Sequence, residues 1–167
     1  MKKGLIGFAV AALVATFLTG CGEKKDVINI EDPVVRSVDA MSAKDDAGKL
    51  MTGSFMTIKN SGGKDVTLVG GSTEVADRIE IHEVVGGTMQ PLSSGLVIKA
   101  GESVELRMGG YHVMLIGLNR DLKPGDEVTV TLEFDDGQSI DYTAPVKDIA
   151  MDDEKYGAMG STDMATK

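Results

Sequence analysis

Both histidines of this chain and two of its ten methionines fall in one short region: His82, Met89, His112 and Met114, the last two inside Gly109-Gly110-Tyr111-His112-Val113-Met114. Imidazole and thioether are the donor types of a soft-metal site. Methionine sulfur has no proton to lose at physiological pH and selects Cu(I) over hard cations such as magnesium or calcium. Zinc prefers carboxylate or thiolate beside histidine, so two methionines argue against it. The chemistry these residues point to is copper binding. A blue-copper electron carrier would need a cysteine ligand, and the one cysteine, Cys21, lies outside this part of the chain. A metal-dependent hydrolase, drawing on the two histidines with Glu80 and Glu83, is a thinner alternative, and no free-standing enzyme activity is expected. The bland alternative is a metal-free β-sandwich serving as a lipid-anchored scaffold or adhesion module.

Strands would have to position these side chains. In Arg78-Ile79-Glu80-Ile81-His82-Glu83-Val84 the isoleucines alternate with polar residues, so period two sends His82 to the face opposite Ile79 and Ile81. If Gly86-Gly87 forms a two-residue primed turn, Val85 pairs with Thr88 and Val84 with Met89. Met89 is then a diagonal neighbour of His82, about 7 to 8 Å away on the same face. His112 and Met114, two apart, also share a face, while Tyr111 alternates with them and is expected on the core face. Glu80 and Glu83 are candidates to tune His82 by hydrogen bonding. Met108 could border the site, whereas Met41, Met51 and Met56 are assigned to loop or core.

The rest of the chain supports an all-β reading. Strand-like runs at 55–59, 66–69, 79–85, 95–98, 103–107, 111–115, 127–134 and 139–144 are separated by turn residues, and 21 glycines serve a chain without a long helical period. Turn signals every 8 to 12 residues or so point to an antiparallel β-sandwich. With 167 residues and 42% hydrophobic content, one domain with appendages is expected.

The appendages are a leader and a tail. Lys2 and Lys3 precede an apolar run from Leu5 to Leu18, and Leu18-Thr19-Gly20-Cys21 resembles a bacterial lipobox. Residues 1–20 are therefore expected to be a lipoprotein signal peptide, with lipid carried on Cys21 and residues 21–33 forming a polar tether. Losing Lys2 and Lys3 with the leader takes the formal charge from −9 to −11. Such acidity repels phosphate backbones, so nucleic-acid binding is not expected. The sandwich is assigned to 34–149, and 150–167 reads as a flexible acidic tail carrying Met151, Met159 and Met164.

The segments Val75-Ala76-Asp77-Arg78-Ile79-Glu80-Ile81-His82-Glu83, Met89, Gly109-Gly110-Tyr111-His112-Val113-Met114-Leu115-Ile116-Gly117-Leu118 and Leu122-Lys123-Pro124-Gly125-Asp126 closely resemble the periplasmic copper chaperones called PCuAC. The resemblance covers roughly residues 34 to 147, and its His, Met, His-x-Met pattern is specific. It implies a cupredoxin-like antiparallel sandwich of Greek-key type holding one Cu(I) at His82, Met89, His112 and Met114. It also implies delivery toward the binuclear copper centre of cytochrome c oxidase, with that enzyme's copper-containing subunit or a thiol-bearing assembly factor as partner. This chain departs from the family in a shortened Gly86-Gly87 hairpin and in its apparent lipid anchor, which would hold it to a bacterial membrane on the periplasmic side of the envelope.

Overall fold

A computed structural model describes residues 28–38 and 42–149. The leader, Cys21, Met41 and the tail with Met151, Met159 and Met164 lie outside the described residues.

Among the described residues ten strands follow one another: β1 (Ile28–Arg36), β2 (Met51–Asn60), β3 (Val66–Thr73), β4 (Ala76–Val85), β5 (Thr88–Pro91), β6 (Leu96–Ile98), β7 (Ser103–Leu106), β8 (His112–Leu118), β9 (Glu127–Phe134) and β10 (Ser139–Lys147). Hydrogen bonding runs β5-β4-β8-β2-β1-β10-β9-β3-β6, with β7 on β2. The fold is an all-β, cupredoxin-like sandwich. Every pairing is antiparallel except β1 with β10, where Val35 meets Val146 and Arg36 meets Lys147. Among the described residues no helix is long and apolar enough to cross a membrane.

The domain begins earlier than the sequence pattern indicated. Residues 28–33, assigned to the tether, belong to β1, which pairs with β2 from Ile28–Asn60 to Val35–Ser54. A bulge explains the error. Register shifts between Glu31 and Val34, Asp32 takes a φ of 51°, and Pro33 has no amide hydrogen to give. The period-two signature is broken in mid-strand.

Period two governs the remaining packing. Along β9, Val128, Val130, Leu132 and Phe134 are buried while their neighbours face outward. They join Ile79 and Ile81 of β4, Val113 and Leu115 of β8, and Tyr142, Ala144 and Val146 of β10 in one cluster. Met56 is in this core and Met51 is half-buried. The β8 strand departs from the rule, since all seven of its residues are buried. It lies between β4 and β2, and both of its faces are covered.

The strands β7 and β8 lie end to end along β2: Met56 pairs with Leu106, and Ser54 with Val113. Between them the chain makes an excursion from Arg107 to Tyr111. It is closed by the Arg107 N–H donating to the Tyr111 carbonyl at 2.7 Å and the Gly110 N–H donating to the Arg107 carbonyl at 3.1 Å. Gly109, at a φ of 76°, permits the reversal. His112 is the first residue after this break.

Candidate metal centre

The two histidines, 30 positions apart in sequence, face each other across β4 and β8: His82 is the register partner of His112, and Glu80 that of Met114. Register partners share a sheet face, here the one opposite Ile79, Ile81, Val113 and Leu115. The imidazole centroids are 5.7 Å apart with planes at 58°. Met114 is 1% exposed, His112 2% and His82 9%, so the cluster is sealed on a face that faces solvent in many sandwiches.

The hairpin joining β4 to β5 has the register a two-residue turn dictates, with Val84 opposite Met89 and Val85 opposite Thr88. Gly86 and Gly87 take φ values of 60° and 81°, the signature of a type I′ turn. Met89, half-buried on the edge strand, therefore sits diagonal to His82, whose direct partner on that strand is Pro91. The structure thus brings His82, His112 and Met114 into one contiguous patch and puts Met89 at its rim.

Several neighbours were not legible as parts of the site. Phe55 of β2 stacks obliquely near His112, with centroids 6.2 Å apart. A Cβ on Gly53, the register partner of Met114, would lie 2.8 Å from the Phe55 ring. Gly53 is thus the space into which Phe55 folds to cover this part of the sheet. The Gly110 carbonyl accepts a hydrogen bond from His112 Nδ1 at 3.0 Å. Tyr111 does not pack on the core face as its alternation suggested. It precedes β8, in the Arg107–Tyr111 excursion, and is 37% exposed.

In the neutral form of each ring the hydrogen bonds set which nitrogen carries the hydrogen. A carbonyl oxygen only accepts, so His112 carries its hydrogen on Nδ1 and keeps a lone pair on Nε2. His82 Nε2 lies 2.9 Å from Glu80 Oε2, and a carboxylate also only accepts, which leaves the lone pair of His82 on Nδ1. Burial works against the Glu80 charge, but hydrogen bonds from His82 and Arg78, aided by the Arg78 charge, bring its carboxyl below the ordinary value. The two nitrogens with free lone pairs, His82 Nδ1 and His112 Nε2, are buried and have no hydrogen-bond partner. Each unsatisfied buried acceptor costs roughly 1 to 3 kcal/mol. Among the described residues no three His, Cys, Asp or Glu side chains are grouped to hold a metal. By register this face carries, beside the imidazoles, the Glu80 carboxylate and the thioether of Met114, with Met89 at its rim.

Burial, the largest influence, pushes His112 below its ordinary value, opposed by the Gly110 carbonyl and reinforced by nearby His82. The unfolded chain therefore binds that proton more readily than the folded one. Stability tied to neutral His112 is complete above the unfolded value of about 6.5 and is lost as pH falls below it through the folded value. The urea midpoint of the metal-free protein is expected to drop more between about pH 7.5 and about pH 5.5 than that of a His112→Gln variant. Equal drops would show that His112 adds nothing to the pH dependence.

Comparison with known proteins gives the family and the fold. The family model described as "Putative lipoprotein LpqE-like" matches residues 28–146. The chain is 32% identical over 167 aligned residues to "Putative lipoprotein Lxx21020" of Leifsonia xyli subsp. xyli, covering 91% of this chain and 95% of that one. Among solved structures it is similar to the Cu(I) form of DR1885 from Deinococcus radiodurans, at a TM-score of 0.58, 27% identity and coverage of 75% of this chain and 83% of that one. It also shares the fold of the copper-bound PCuAC domain from PmoF2, at a TM-score of 0.57, 20% identity and coverage of 73% and 93%.

Proposed function

Because the chain belongs to the LpqE-like family of lipoproteins, we propose that it is an extracytoplasmic Cu(I) chaperone, anchored by lipid on Cys21 at the periplasmic side of the envelope. It holds one copper as cargo and passes it on by ligand exchange. The observation that carries this reading is the pair of buried nitrogens, one on each of two neighbouring imidazoles, that have no hydrogen-bond partner. A soft Lewis acid is the partner they lack. The copper forms of the PCuAC domain of PmoF2 and of DR1885, which share this fold, support the choice of metal.

The ligands in this reading are His82 Nδ1, His112 Nε2 and the thioethers of Met114 and Met89. Their burial orders their release. Met89, half-buried on an edge strand, yields first to an incoming acceptor ligand, while the sealed histidines and Met114 keep the ion from becoming free. The acceptor is the copper-containing subunit of cytochrome c oxidase or a thiol-bearing assembly factor, and no catalytic step is required of this chain.

An anaerobic Cu(I) titration of a soluble form beginning at Gly22, competed with a colorimetric chelator, tests the reading. One tightly held copper per chain and a raised melting temperature are expected, since a ligand that binds only the folded state stabilises it. Failure to compete with the chelator, with unchanged melting, would return the domain to the metal-free scaffold reading.

A further inference from the structure

The two nitrogens of His82 are chemically distinct, and which of them faces a metal is decided by what the other one bonds to. Two carboxylates flank this histidine. Glu83, the next residue, accepts a hydrogen bond from Gln90 Nε2 at 3.0 Å and is committed to the β4–β5 hairpin. Glu80, two residues back on the same face, places Oε2 2.9 Å from His82 Nε2. Its other oxygen, Oε1, accepts from Arg78 Nε at 2.8 Å. The side chains of Arg78, Glu80 and His82 are 54%, 32% and 11% exposed, so the chain of bonds runs from solvent inward and ends at the buried ring.

We infer that Glu80 is a positioning residue for the metal: by accepting the Nε2 hydrogen of His82 in a hydrogen bond it fixes the ring so that Nδ1, buried and without a hydrogen-bond partner, is the nitrogen left for the metal, and Arg78 holds the carboxylate in place. The inference rests on the copper reading above and adds to it an assignment of donor atoms. The two imidazoles are not equivalent. His112 is oriented by a backbone carbonyl, which no side-chain substitution can remove, whereas His82 is oriented by a side chain reaching in from the surface. Its orientation can therefore be altered without touching a ligand.

The test compares Glu80→Ala and Glu80→Gln with the wild-type protein by imidazole nitrogen NMR on the metal-free form and by Cu(I) competition. A glutamine amide oxygen can accept the same Nε2 hydrogen, and an alanine cannot. Wild type and Glu80→Gln are expected to show His82 protonated on Nε2 in one ordered environment. Glu80→Ala is expected to lose that single environment, leave the His112 signals in place, and bind Cu(I) about 10- to 100-fold more weakly, the usual effect of removing a partner behind a ligand. A Glu80→Ala protein matching wild type in both readouts, or a Glu80→Gln protein as impaired as the alanine variant, would overturn the inference. Should wild type bind no Cu(I), the chaperone reading falls, while the NMR comparison on metal-free protein still decides whether Glu80 sets the His82 ring.

Discussion

A variant carrying His112→Ala together with Met114→Leu is expected to lose tight Cu(I) binding while keeping its fold. Removing a group that merely orients a ligand costs about 10- to 100-fold in metal affinity. Removing two donors outright should cost at least about a hundredfold by the same scale. The residues are chosen for position as well as chemistry: His112 and Met114 share one strand and one face, opposite His82 and Glu80. Leucine is nearly isosteric with methionine, so the sealed space at position 114 stays filled for under about 1.5 kcal/mol. Losing the His112 ring also removes one buried lone pair without a partner, which partly offsets the volume lost beside Phe55. Chelator competition measures the loss, and circular dichroism with a thermal melt verifies the fold. A variant that still retains copper against the chelator would show that the ion sits elsewhere.

The second large effect should fall on stability alone. Leu132, at the centre of β9, is fully buried between the register partners Ile140 and Gly71. Neither neighbour can fill the space left by alanine. Ile140 belongs to the adjoining strand, and a Cβ at Gly71 would come 2.3 Å from the Thr131 carbonyl oxygen, so the two backbones already touch there. Truncating a buried leucine costs about 2 to 5 kcal/mol, a large share of the roughly 5 to 15 kcal/mol that holds a domain folded. At a typical urea dependence this moves the unfolding midpoint by roughly 1 to 2 M. Because β9 lies at the other end of the hydrogen-bonding order from β4, Cu(I) affinity measured well below the midpoint should match wild type. An equal loss of affinity would mean that the two halves of the sandwich do not act independently.

These two variants follow the division between what was legible in the sequence and what was not. Local register was legible: Gly86-Gly87 suits a two-residue primed turn, whose register puts Met89 beside the His82 strand. Alternation in β9 and β4 likewise announced their buried faces. Long-range pairing was not legible. That His82 lands opposite His112 depends on β4 choosing β8 as its neighbour, and strand choice leaves no mark within either segment. Burial of the face that carries His82, His112 and Met114 was hidden for a related reason. A strand with both faces covered loses its contrast, and after His112 the rest of β8 reads as apolar. Gly53 looks like a weak point in β2 until Phe55 is seen lying over it. The first strand was missed because Asp32-Pro33 breaks its period.

If Cys21 carries the proposed lipid, that first strand also sets how far the proposed cargo could reach. It enters at Ile28 beside Asn60, and the site lies five positions along β2 from there, at Phe55, or roughly 17 Å at strand spacing. From the proposed lipid on Cys21 to Ile28 the chain can span no more than about 25 Å. In that reading the cargo would stay within roughly 40 Å of the attachment point. A tether this short holds its load at a local concentration on the order of millimolar around any acceptor within that radius. The domain then needs no strong docking surface of its own: a leash can supply the encounter rate that a freely diffusing carrier would have to obtain from affinity.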